Sequence, residues 1–271
     1  MNVLNVISMP YSSSGLNNIS VTEDSRSVPD KIKAIYENHR KAGVCFLKEN
    51  SFEAELDFEN FDENGNRTCF LGGDNSISYH AAKSFCTRYK NLKRGLIALD
   101  AHPDLCKKGK PKHPYHSDWL RYLIEEEIFA SSDVLCVGWR DVEAEERDFA
   151  RKIGMRQICL MSALRQGFYS PYRHNPKNRR VDDFQRLMAI FCENFDAIYL
   201  SIDFDVIDPA FAPGVNTLSP GGMTSGYFIE LIKILSAVPQ IKMFDITEVN
   251  PVRDVNQMTQ LLALKTMIEM A

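Results

Sequence analysis

Short apolar runs alternate with longer amphipathic stretches along most of this chain. The runs Val3–Ile7, Thr68–Leu71, Leu96–Asp100, Val134–Val137, Gln157–Leu160, Ala197–Asp203 and Lys242–Ile246 predict strands, because each is short, apolar and followed by turn-forming residues. Segments whose apolar residues return every three or four positions predict helices over Asp30–Lys41, Ser78–Tyr89, Ser117–Phe129, Glu143–Lys152, Val181–Asn194, Ser225–Val238 and Val255–Met270. Pro29 suits the opening of the first helix. A strand followed by a helix, repeated in this way, implies an α/β fold whose mostly parallel sheet is covered on both faces. No internal repeat, low-complexity tract or linker divides the chain, so one domain over residues 1–271 is expected. The segment Phe168–Arg180, rich in Pro, Asn and Arg, is the expected excursion from the core.

Two strand ends carry the chemistry. Asp100-Ala101-His102-Pro103-Asp104 follows Leu96–Leu99, and Ser201-Ile202-Asp203-Phe204-Asp205 follows Ala197–Leu200. Side chains two apart on an extended chain share a side, so Asp100, His102 and Asp104 can converge from one strand end and Asp203 with Asp205 from the other. Parallel α/β sheets bind ligands at the carboxyl ends of their strands, where both runs lie. Four carboxylates in one pocket would repel each other unless compensated, and two divalent cations would balance their charge. A binuclear metal site follows if the two ends are neighbours. The competing reading is that each Asp only caps the next turn.

Composition narrows the class. Charged residues make up 25% of the chain and the net charge is −4, which leaves no basic footprint for nucleic acid. No apolar run is long enough to span a bilayer, and the first residues do not read as a secretory leader. The 7 cysteines are dispersed and form no Cys-x-x-Cys pair, as expected of reduced residues in a cytoplasmic protein.

Leu71-Gly72-Gly73-Asp74-Asn75-Ser76, the two Asp-rich runs, the continuation Val206-Ile207-Asp208-Pro209-Ala210-Phe211-Ala212-Pro213-Gly214, and Glu248-Val249-Asn250-Pro251 together resemble the signature runs of the ureohydrolases. That superfamily comprises arginase, agmatinase, formimidoylglutamase and their relatives. Val137-Gly138-Trp139-Arg140-Asp141-Val142-Glu143 is similar to the arginase branch. The resemblance implies a three-layer α/β/α fold, two Mn²⁺ ions, a homo-oligomer, and hydrolysis of a C–N bond in a small linear amidine by a metal-bridging hydroxide. It assigns Asp100 and Asp203 to both metals, His102 and Asp205 to one, and Asp104 and Asn75 to the other. It also implies that Glu248 receives the amidine nitrogens, that His116 relays a proton to the leaving amine, and that Thr217 and Glu143 help hold substrate. Carboxylates and imidazole without thiolate suit Mn²⁺ on chemical grounds as well.

One position departs from the family. Asn75 stands where the family places a His ligand, and its amide oxygen is a weaker donor than imidazole. Two functions therefore stay open: an active hydrolase, or a weak or inactive relative with an impaired first metal site and a binding or regulatory role. His113 competes with His116 for the proton relay, whereas His39, His80 and His174 read as surface or helix-packing residues and Trp119 and Trp139 as core. The loop Leu105–Tyr115 holds four lysines, which favours a substrate with an anionic tail over agmatine.

Overall fold

The computed structural model describes residues 4–9, 27–39, 44–49, 66–108, 114–158 and 181–271. Strands β1 (Leu4–Met9), β2 (Val44–Glu49), β3 (Thr68–Gly72), β4 (Arg94–Leu99), β5 (Val134–Val137), β6 (Arg156–Ile158), β7 (Ala197–Asp203) and β8 (Ile241–Thr247) form an 8-stranded sheet. The spatial order is β2-β1-β3-β8-β7-β4-β5-β6, and every pairing is parallel. The helices are α1 (Val28–His39), α2 (Ile77–Arg88), α3 (Trp119–Glu125), α4 (Ala144–Lys152), α5 (Val181–Cys192), α6 (Ser225–Ser236) and α7 (Met258–Met270). Strand β2 has no counterpart in the sequence reading. The predicted helix over 117–129 contracts to α3, with His116 and Ser117 in the turn before it. Phe168–Arg180, with His174, lies outside the described residues.

Alternation along the strands builds the layers. On β4, Ile97 and Leu99 join one buried cluster while Leu96 and Ala98 join the other; on β7, Ile198, Leu200 and Ile202 oppose Ala197 and Tyr199 in the same way. The first cluster is completed by α1, α5, α6 and α7, the second by α2, α3 and α4. That is a three-layer α/β/α arrangement, and strands buried on both faces are apolar throughout for this reason. At the amino edge of the sheet, Arg67 ties three elements together. Its guanidinium donates to the carbonyls of Ile241 (3.0 Å), Met270 (3.1 Å), Ser236 (2.6 Å) and Val238 (3.1 Å). Among the described residues no helix is long and apolar enough to cross a membrane.

Candidate metal centre

Strand order decides which residues can meet. The carboxyl ends of β3, β8, β7, β4 and β5 lie side by side, and the loops leaving them carry Asn75, Glu248, Asp203 with Asp205, Asp100 with His102 and Asp104, and Asp141 with Glu143. Strands β4 and β7 pair directly, with Leu99 opposite Ile202, so the two Asp-rich runs leave the sheet together.

The i, i+2 spacing converges for a different reason from strand alternation. Asp100 lies beyond the end of β4, and Asp205 sits in the 3₁₀ turn Phe204–Val206. Each leading Asp accepts the backbone N–H two residues on: His102 N donates to Asp100 Oδ1 (2.6 Å) and Asp205 N to Asp203 Oδ1 (2.8 Å). These are side-chain-to-backbone turns of the kind Asp favours. A third such bond crosses between the runs, from Ala101 N to Asp205 Oδ1 (3.0 Å). One oxygen of each carboxylate is thereby tied to backbone, and the other is turned inward.

Two overlapping groups offer ligand atoms within 4.8 Å of one another: Asp100, His102 and Asp205, and Asp100, Asp104 and Asp203. In the first, His102 Nδ1 lies 2.8 Å from Asp205 Oδ2 and 3.5 Å from Asp100 Oδ1. Its other nitrogen meets Ser219 Oγ (3.2 Å), which in turn donates to Asp141 (2.6 Å). Outer hydrogen bonds of this kind orient a ligating ring. The donor set, two buried carboxylates and an imidazole with Asp203 adjoining through the Asp205 backbone, fits a hard-to-intermediate divalent ion such as Mn²⁺. Cys106 nearby does not add a thiolate, because burial and then Glu146 push its thiol up to about 12.

In the second group Asn75 takes a central place. Its Nδ2 donates toward Asp104 Oδ2 (2.8 Å), Asp203 Oδ2 (3.0 Å) and Asp100 Oδ2 (3.1 Å). Its Oδ1 receives Ser78 Oγ (2.8 Å) and Thr247 Oγ1 (3.0 Å). The amide thus turns its two donor hydrogens toward the carboxylate oxygens and its acceptor toward the hydroxyls. The oxygen that the sequence reading aimed at a cation therefore points the other way. Trp119, expected as plain core, is buried and also donates its indole N–H to Asp104 Oδ2 (2.6 Å).

Crowding shapes the electrostatics. Burial pushes Asp100 up to about 7, with Asp205 adding to the effect. Burial first, and neighbouring acids next, also raise Asp104, Asp203 and Glu248 well above the carboxylate range. Burial works against a charged His102, but Asp205 and Asp100 outweigh it and push the ring up to about 12. Asp205 is held low despite its burial, because the His102 ring is beside it.

These groups form the floor of a cavity of about 450 Å³. Glu248 closes one side, its Oε1 accepting Asn75 N (2.7 Å) and its Oε2 accepting Asn216 Nδ2 (2.6 Å). His116, Ser117, Thr217 and Cys106 line the walls, and Asp141, Glu143 and Glu146 stand on the β5 side. Lys107 and Lys108 are not part of the lining: Lys108 pairs with Glu125 (3.4 Å) and lies over the Tyr122 ring (4.3 Å). The described lysines of the loop thus do not face the cavity, while the acidic rim does.

A model of the arginase family matches residues 16–271. The chain belongs to the arginase family. It is 32% identical over 208 residues to arginase 1, mitochondrial, of Arabidopsis thaliana, covering 76% of this chain and 54% of that protein. It is 26% identical over 200 residues to formimidoylglutamase of Bacillus subtilis, covering 73% and 58%. The chain therefore spans little more than half the length of these curated relatives. Among solved structures, an arginase from Bacillus cereus superposes with a TM-score of 0.79 at 20% identity, over 100% of this chain and 98% of that one. The formimidoylglutamase of Bacillus subtilis gives 0.80 at 20%, over 100% and 86%. Those likenesses concern the fold.

In this arginase-family chain the structure brings together Asn75, Asp100, His102, Asp104, His116, Glu143, Asp203, Asp205, Thr217 and Glu248. His113 lies outside the described residues, as does the side chain of His39. Sequence reading missed Asp141, Glu146, Ser219, Asn216 and the Trp119 donor. Asp141 lies within the run Val137–Glu143 and Glu146 just beyond it, but their placement depends on β5 ending beside β4. Arg140, in the same run, braces the metal-facing loop by donating to the carbonyls of Asp205, Val206 and Ser219.

Proposed function

We propose that this chain is a metal-dependent hydrolase that cleaves a C–N bond of a small linear amidine, working as a cytoplasmic homo-oligomer built from one domain per chain. The observation that supports the reading is one cavity lined by His102, Asp104, Asp203, Asp205, Glu248 and His116. Asp100, His102, Asp203 and Asp205 would hold Mn²⁺, which when bound lowers the pKa of water and polarises the amidine. Glu248 uses one lone pair of each oxygen on Asn75 and Asn216, so a forked cation can still take the remaining ones. A carboxylate fixed in this way orients the planar carbon for attack. Asp104 has its Oδ2 engaged by two N–H donors and keeps Oδ1 for a proton of the attacking water. His116 lies on the cavity wall, within the volume where the departing nitrogen needs a proton.

Beyond the amidine, Thr217 and the acids Glu143, Glu146 and Asp141 favour a substrate whose far end carries an amino group. This replaces the anionic tail suggested by the lysine loop. Arginine, agmatine, a guanidino acid and formiminoglutamate, assayed with Mn²⁺ for urea and ammonia, form the decisive panel. Arginine or agmatine should lead, and Glu248→Ala should abolish turnover. A guanidino acid without an amino group as best substrate would overturn the rim argument. No turnover of any of them by metal-loaded protein would favour the non-catalytic reading, to which Asn75 points.

A further inference from the structure

Asn75 faces the carboxylates in a way that changes the count of ions. We propose that the centre is mononuclear: one divalent ion at Asp100, His102, Asp203 and Asp205, with the Asn75 amide NH₂ standing in for a second ion among Asp100, Asp104 and Asp203. The inference rests on the cluster being a metal centre at all, as proposed above.

Three observations support it. The NH₂ group lies within 3.1 Å of one oxygen of each of the three carboxylates, the same three that form the second ligand group. An amide nitrogen bearing two hydrogens has no lone pair to give a cation, so it competes with an ion for those oxygens. The amide is also held in this sense from behind. Ser78, in the first turn of α2, and Thr247, at the end of β8, both donate to Oδ1, and the backbone N–H of Asn75 is fixed on Glu248. To ligate through oxygen the amide would have to turn over, giving up its donations to the carboxylates and making the two hydroxyls accept where they now donate. Lastly, Asp104 is satisfied by neutral donors, because Oδ2 takes both Asn75 Nδ2 and the buried Trp119 indole. A buried carboxylate with two N–H partners has less need of a counter-cation than one with none.

Replacing an ion by an amide costs charge compensation, and the structure shows how part of it is met. One divalent ion neutralises two of the acids, with His102 binding it as the neutral imidazole. Asp104 lies outside that ligand set, and its Oδ2 takes the Asn75 amide and the Trp119 indole.

The test is metal stoichiometry of the full chain, loaded with excess Mn²⁺, exchanged into metal-free buffer, and read by native and elemental mass spectrometry. Electron paramagnetic resonance is recorded in parallel. The wild type should hold one Mn²⁺ and give the six-line signal of an isolated ion. Asn75→His should hold two and give an exchange-coupled spectrum. Asn75→Asp, which keeps the size of the side chain and supplies an anionic oxygen, should also hold two and serves if the imidazole does not fit. Two ions in the wild type would overturn the single-ion assignment and leave the metal-centre reading intact. No ion in wild type or variants would overturn that reading and this inference with it. One ion in the wild type and in both variants would show that Asn75 does not set the count.

Discussion

Asp104 and Glu248 adopt left-handed backbone conformations, with φ of 52° and 65°, which side chains with a Cβ rarely occupy. Such geometry costs on the order of 1–3 kcal/mol per residue and persists where surrounding structure enforces it. Here Glu248 N donates to Gly73 O (2.8 Å) and Arg121 N to Asp104 O (3.3 Å), which hold both residues in place. Nothing in the residue types announces this strain; the Asp-x-His-x-Asp spacing was legible, its backbone was not. Among the cavity residues, His116 has the most separable role. If it delivers the proton to the departing amine, His116→Ala should lower kcat by about 10²–10⁴-fold while KM changes little. The Mn²⁺ content should stay at the wild-type value. A parallel loss of bound metal would mean that His116 supports the centre rather than the proton transfer.

Elements place the site by where they end. Gly138 leaves β5 with φ of 114°, and a Cβ there would lie 2.7 Å from the Asp100 carbonyl oxygen and 2.6 Å from Val206. Both neighbours belong to the loops that carry ligands. Gly138→Ala should therefore cost about 1–3 kcal/mol in urea unfolding and also weaken Mn²⁺ binding measured by calorimetry. Arg67 makes the opposite case, since its four carbonyl partners lie at the amino edge of the sheet. Arg67→Ala should lose about 2 kcal/mol, the scale of hydrogen bonds from a charged donor, with Mn²⁺ affinity unchanged. Equal effects of the two variants on metal binding would show that the sheet transmits strain from edge to edge. The element missed from sequence, β2, is a strand of six residues that among the described residues lies at the sheet edge and pairs with β1. Its apolar part is too short for periodicity to tell strand from helix.

At the scale of the whole molecule, the acid cluster links stability to pH and metal. Asp100 is raised to about 7 by burial, and burial also raises Asp104, Asp203 and Glu248 well above their ordinary values, so the folded metal-free protein binds these protons more readily than the unfolded chain does. His102, pushed up to about 12 by its acid neighbours despite burial, has the same sign. Stability from groups raised in the folded state is present at low pH and is lost as pH climbs through their folded values. Asp205, held low, acts in the opposite sense, but only below the ordinary carboxylate range. The metal-free protein should consequently melt at lower temperature at about pH 8 than at about pH 6. Mn²⁺ should restore the loss, with the larger gain at the higher pH, since binding requires the deprotonated ligands. Scanning calorimetry with chelator and with Mn²⁺ at both values reads this directly. A chelated protein that is more stable at the higher pH would contradict the burial of the cluster.

From residue order alone came the strand–helix alternation, the two Asp-rich runs, Glu248 and the family resemblance, because periodicity and motif spacing are local properties of the chain. Tertiary structure alone decided that β4 and β7 are neighbours, that β5 adds an acidic rim and that the described lysines face away. It also decided which atom of Asn75 meets the carboxylates. An amide carries a donor and an acceptor on one carbon, and the three acid oxygens on one side set which way it faces, with the hydroxyls of Ser78 and Thr247 free to adapt on the other.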